Sequence, residues 1–249
     1  MNALRTLALV ILPLAALAAV WEWATSGSTF LAFLIGRPSA IAANLIQDVG
    51  STGLLRDLAI TLLTSSIGLI LGCLAGYATG LLVATRPSAD LAFAPIINML
   101  SVIPLFAIGP LLVFVAGQGM ASKVLLSFLT VMFLSIALTY QHTKLAPVGL
   151  KESIFIQSGK KSAVLRYVEA PYAALRLLTN LRSLFGMAVA GSLIGEFLGG
   201  SHGIGRYIVI AEGLYDVNRI WVGVVLLSIS AIVAGLLLGK LENFARARL

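Results

Sequence analysis

Two places in this chain concentrate residues that could do chemistry. Glu196 ends an apolar run just before the turn-rich stretch Leu198–Gly205. An ionisable group in such a run is by default a functional residue, here on a path or gate together with Pro104. The alternative is structural, with the carboxylate accepting hydrogen bonds from amides of the glycine-rich loop. The second place is residues 151–171, KESIFIQSGKKSAVLRYVEAP, basic in otherwise apolar surroundings. Its Gly159-Lys160-Lys161-Ser162 is no phosphate loop, because the upstream glycine is missing and no Ser or Thr follows the first lysine. Neither a G-x-S-x-G nor an H-E-x-x-H occurs, and Cys73, His142 and His202 share no metal-ligand spacing. Enzymatic catalysis and metal binding therefore find no residues here.

The elements that must carry these groups are membrane helices. With 59% apolar and 11% charged residues over 249 positions, and a mean hydropathy of +1.01, the chain has too few charges to cover a soluble surface. One all-α polytopic domain over 1–249 is predicted, with six transmembrane helices at about 4–25, 54–84, 91–116, 121–141, 179–199 and 219–239. The first run is read as a retained helix ending at Trp21-Glu22-Trp23, and residues 26–53 as an outer segment with a short surface helix.

The net charge of +7 lies in the loops. Arg5, Arg86, Lys144, Lys151, Lys160, Lys161, Arg166, Arg176, Arg182, Lys240, Arg246 and Arg248 fall on one side. Only Arg37, Arg56, Lys123, Arg206 and Arg219 fall on the other, so both termini are expected in the cytoplasm. Placing a Lys or Arg at the bilayer centre costs about 3 kcal/mol, so residues 143–178 are expected as a cytoplasmic loop and not a seventh span.

Small residues predict how the spans meet. Gly68, Gly72, Gly76 and Gly80 recur every four residues, and Gly191, Gly195 and Gly199 repeat the pattern. Both sets expose backbone on one helix face, for packing and for sliding or hinging. Pro95, Pro104 and Pro110 permit kinks in the third span.

Around the break at Ser158-Gly159, two stretches of helical composition form a protrusion able to transmit force, or else one that lies on anionic headgroups. From Glu152 the segment reads E-S-I, three residues, Ser158, nine residues, then V-E-A-P ending at Pro171. This resembles the EAA signature of ATP-binding-cassette importer permeases, E-A-A, three residues, G, nine residues, I-x-L-P. Ser153 and Ile154 replace the alanines, and Gly159 follows one place late. Trp21-Glu22, Arg37-Pro38-Ser39-Ala40, Ile103-Pro104, Pro110 and the stretch Gly195–Gly205 extend the resemblance to nearly the whole chain, in the manner of permeases for nitrate, sulfonate and taurine.

The resemblance implies a type I importer permease fold with a coupling helix in the loop. Glu152, Ser153, Ser158, Gly159 and Lys160 would belong to the coupling element, and Pro171 would end it. Implied partners are a second permease copy, two ATPase subunits that bind ATP and Mg, and an extracytoplasmic solute-binding protein, all at a bacterial inner membrane. The chain itself would hold no cofactor or metal and would not be an enzyme. The solute implied is a sulfonate-, taurine- or nitrate-like anion, with vitamin precursors and aromatic acids as alternatives. A secondary carrier working without an ATPase is the competing reading.

Overall fold

The computed structural model describes residues 3–51, 53–100 and 104–246, so Ile103 and Arg248 lie outside the described residues. The described residues form helices α1 (Ala3–Ser26), α2 (Thr29–Ile35), α3 (Pro38–Ser51), α4 (Leu54–Thr85), α5 (Pro87–Leu100), α6 (Leu105–Ala116) and α7 (Met120–Lys144). The chain continues through α8 (Val148–Ser158), α9 (Lys161–Val164), a π-helical turn (Leu165–Glu169), α10 (Ala170–Leu178), α11 (Leu181–Phe197), α12 (Ile204–Gly213) and α13 (Val217–Arg246).

Among the described residues, three helices are long and apolar enough to cross a bilayer alone: Leu54–Thr85, Met120–Lys144 and Val217–Lys240. Two bent pairs bring the number to as many as five, one of them Lys161–Leu178 with Leu181–Phe197, at 61°. The other, Thr29–Ile35 with Pro38–Gly50 at 50°, occupies the outer segment. Over the span expected at 91–116 the described residues form two shorter helices, α5 and α6. Pro104 caps α6 with ψ 88°, outside the helical range.

Helix α7 is the centre of the fold, packed against both α4 and α11, which also touch each other through the hydrogen bond between Thr64 and Ser192 at 2.7 Å. A Cβ placed on Gly68 would lie 2.1 Å from Ser127 Oγ, one on Gly72 2.7 Å from Val131 Cβ, one on Gly76 2.4 Å from Ser135 Cβ and one on Gly80 2.8 Å from Thr139 Cβ. The contacts climb both helices in steps of four residues, so the glycines let Ser127, Val131, Ser135 and Thr139 of α7 seat directly on the α4 backbone. On the adjoining face of α7, Gly191 meets Ser127 Cα at 2.7 Å and Gly195 meets Lys123 Cα at 2.9 Å. Gly199 does not continue that face, because α11 ends at Phe197 and Gly199 sits against the Gln118 side chain. Leu69, Val131, Leu184, Phe185 and Ala188 fill the space the three helices share.

A polar lattice fastens residues 26–53. Trp21 and Trp221 donate their indole N–H groups to Gly36 O at 3.1 Å and Ile35 O at 2.9 Å, and their rings meet edge-on at 5.1 Å. Fully buried Asp48 of α3 accepts from Tyr207 Oη at 2.5 Å and from Arg219 Nε at 2.9 Å, joining α3 to α12 and α13.

Candidate functional site

The stretch expected as a loop over 143–178 is helical for most of its length. Helix α8 has none of its side chains buried, and Val148 (66% exposed) and Ile156 (82%) stand open on it. Gly159 ends α8 in the left-handed conformation, φ 65°, and donates its N–H to Phe155 O at 2.7 Å. Ser158 Oγ donates to Ile154 O at 2.6 Å and accepts from Lys160 N at 3.3 Å, shaping the corner into α9. Ser153 accepts from Gln157 Nε2 at 3.2 Å, while Glu152 and Lys160 are exposed.

Pro171 does not end the element. The helix runs unbroken from Lys161 to Leu178, with Pro171 as the second residue of α10. A proline inside a helix lacks one donor and crowds the preceding turn. The π-helical turn directly before it widens the helix there, the Ala170 N–H reaching back to Leu165 O. Tyr77 of α4 donates to Ala170 O at 2.9 Å, and Lys151 of α8 pairs with Glu169 at 3.1 Å while donating to Thr143 O of α7 at 3.1 Å. The exposed helix is thereby tied to both central spans. No local pattern in the sequence pointed to Lys151, Glu169 or Tyr77 as these links.

Glu196 is 2% exposed and faces no open path in this conformation. Its carboxylate accepts from Thr61 Oγ1 at 2.9 Å and from Gly205 N at 2.7 Å. Asp57 accepts from Gly203 N at 2.9 Å, and Thr61 Oγ1 also accepts from Ile204 N at 3.0 Å. Gly203 has φ 116°, and a Cβ on it would lie 2.3 Å from Glu196 Cδ, so only glycine fits. Lys123, read from the sequence as an outer loop cation, is in fact 1% exposed. It donates to His202 O and is attracted by both Glu196 and Asp57. The cluster closes the loop between α11 and α12 over the ends of α4 and α7.

Removing the cation that attracts a buried carboxylate disfavours its charged form, whereas replacing both by neutral groups is often tolerated. Lys123→Met is therefore expected to lower the midpoint of thermal unfolding in detergent by several degrees, and the double variant Lys123→Met/Glu196→Gln to recover most of the loss. Equal midpoints for wild type and Lys123→Met would show that the pair is not coupled.

Pro104 borders a cavity of about 260 Å³ between α6, α7 and α11, lined also by Thr130, Phe133, Met187, Gly191 and Ile194. None of its lining residues is charged.

Residues 68–246 match the family described as binding-protein-dependent transport system inner membrane component. The chain is 32% identical to the riboflavin transport system permease protein RibX of Chloroflexus aurantiacus, over 90% of this chain and 83% of that protein. It is 25% identical to the taurine transport system permease protein TauC of Escherichia coli, over 96% and 89% respectively. Among solved structures it is similar to an inward-facing MetNI methionine ABC transporter chain, with a TM-score of 0.65 at 21% identity, covering 77% of this chain and 95% of that one.

Proposed function

Since the chain belongs to the family of binding-protein-dependent transport system inner membrane components, and is an ABC importer permease subunit, we propose that α8 is its coupling helix. Glu152, Ser153, Ser158, Gly159 and Lys160 present that helix to a cytoplasmic ATPase. The observation that carries this reading is an α8 with no buried side chain, yet fastened to α7 through Lys151 and, by way of Glu169 and Ala170, to α4. A push on α8 is then transmitted to the glycine-faced unit of α4, α7 and α11. Close backbone contact lets such helices slide as rigid bodies.

The working assembly in this reading has two permease copies, two ATPases binding ATP and Mg, and an extracytoplasmic binding protein that delivers the solute. Both termini and residues 143–178 face the cytoplasm, in line with the excess of Lys and Arg there. ATP binding draws the coupling helices together and opens the path outward, and hydrolysis returns it inward.

For the solute, the uncharged cavity beside Pro104 and the resemblance to RibX support a neutral ring compound such as a vitamin or its precursor. The cavity's aromatic and thioether walls suit a flat ring. The second reading is a sulfonate-, taurine- or nitrate-like anion, supported by the resemblance to TauC.

Affinity purification of the chain in mild detergent, with mass spectrometry of the proteins that accompany it, tests the assembly. A stoichiometric ATPase with a phosphate loop is expected. Recovery of the chain alone, still transporting in vesicles without ATP, would instead establish a secondary carrier. Calorimetric titration of the co-recovered binding protein with riboflavin, a pyrimidine and taurine then decides the solute, and heat from taurine alone would reject the ring compound.

A further inference from the structure

A second cavity, of about 540 Å³, lies beneath α8. Its walls come from the end of α4 (Ala84, Thr85, Arg86), from α8 (Lys151, Glu152, Phe155) and from α9 and the turn after it (Lys161, Ser162, Val164, Leu165, Glu169). One part is apolar, made by Ala84, Phe155, Val164 and Leu165, and the rest is charged. Lys151 and Glu169 neutralise each other at 3.1 Å. The side chains of Arg86 and Lys161 have no hydrogen-bond or ion-pair partner among the described residues, and the remaining charge is Glu152, which leaves the cavity one positive charge in excess.

The depth of the cavity is set by α4. Its 32 residues rise about 1.5 Å each, or roughly 48 Å in all, enough to cross the ~30 Å hydrocarbon core and both headgroup layers. Arg86 directly follows its last residue, which places it at the outer edge of the headgroup layer, within side-chain reach of the phosphates.

We propose that this cavity holds the phosphodiester headgroup of an anionic phospholipid, with the phosphate on Arg86 and Lys161 and the upper acyl chain against Val164, Leu165 and Phe155. The single negative charge of the phosphodiester matches the single unbalanced positive charge. Two cations beside an apolar wall at headgroup depth provide both halves of such a ligand. Because α8 forms one wall, an occupied site braces the coupling helix against α4. Lipid identity then bears on how tightly hydrolysis is linked to transport. The cytoplasmic position of α8 in the proposed function is presupposed here.

The test is lipid analysis of the full assembly, purified in mild detergent and reconstituted in nanodiscs of phosphatidylglycerol with phosphatidylcholine. Wild type and Arg86→Lys/Lys161→Arg are expected to retain phosphatidylglycerol through a detergent wash. Each cation removed should weaken retention about five-fold, and Arg86→Gln/Lys161→Gln, lacking both, about 25-fold. Undiminished retention by the glutamine variant would overturn the proposal. Displacement of the lipid by millimolar inorganic phosphate would also overturn it, by identifying a soluble ligand. So would loss of the accompanying ATPase from the glutamine variant with the lipid still in place, since the cavity would then receive an acidic group of the partner. If wild type brings down no ATPase at all, the coupling reading fails separately, while lipid retention remains readable on the chain alone.

Discussion

Gly76→Leu is expected to remove the protein from the membrane fraction. A Cβ at this position would lie 2.4 Å from Ser135 Cβ and 2.8 Å from Met132 O, inside the van der Waals distance of both. The carbonyl is helix backbone and has no rotamer to adopt, so relief requires α4 and α7 to separate. The other three rungs at Gly68, Gly72 and Gly80 are equally close and move with the fourth. Overfilling a well-packed site costs about 1–3 kcal/mol even where side chains can yield. The cost here is greater, because contact is lost along a whole interface, and it is set against a total stability of roughly 5–15 kcal/mol. Gly235→Leu, where nothing lies within 4 Å of the added Cβ, is the control and should accumulate normally. Immunoblots of solubilised membranes measure both, and equal amounts of the two variants would disprove close contact between α4 and α7.

The second large effect concerns α8. Glu152→Ala and Gly159→Pro are expected to leave the chain inserted and assembled but to abolish the link between ATP hydrolysis and uptake. Glu152 is exposed and supports nothing within this chain, so its loss should not alter the fold. Truncating a charge paired across an interface costs about 2 kcal/mol or more, roughly 30-fold in engagement. Gly159 has φ 65°, which proline with φ near −65° does not reach, and its N–H bond to Phe155 O disappears with the substitution. The end of α8 and the corner into α9 then lose their shape. Solute uptake and phosphate release measured together in proteoliposomes should show continued hydrolysis without uptake. Wild-type uptake by both variants would remove α8 from the mechanism.

Composition and periodicity made much of the molecule legible. Apolar runs long enough for a bilayer identify membrane helices whatever they pack against, since a chain in hydrocarbon must satisfy its own backbone hydrogen bonds. Glycines four apart identify a face of close approach, because the helix repeat alone places them in line. The spacing from Glu152 to Pro171 identified the segment proposed to couple, since that relation lies along the chain.

What the sequence by itself determined therefore is local: which stretches are membrane helices, which faces are bare, and which segment is too basic to be buried. Tertiary structure decided the partners. It set the glycines of α4 and α11 on adjoining faces of α7, buried Lys123, and engaged Glu196 with Thr61, 135 residues away. It also carried a helix through Pro171 by widening the preceding turn. Hydrogen bonds and ion pairs between residues so distant depend on how helices dock. No periodicity within one helix specifies that docking.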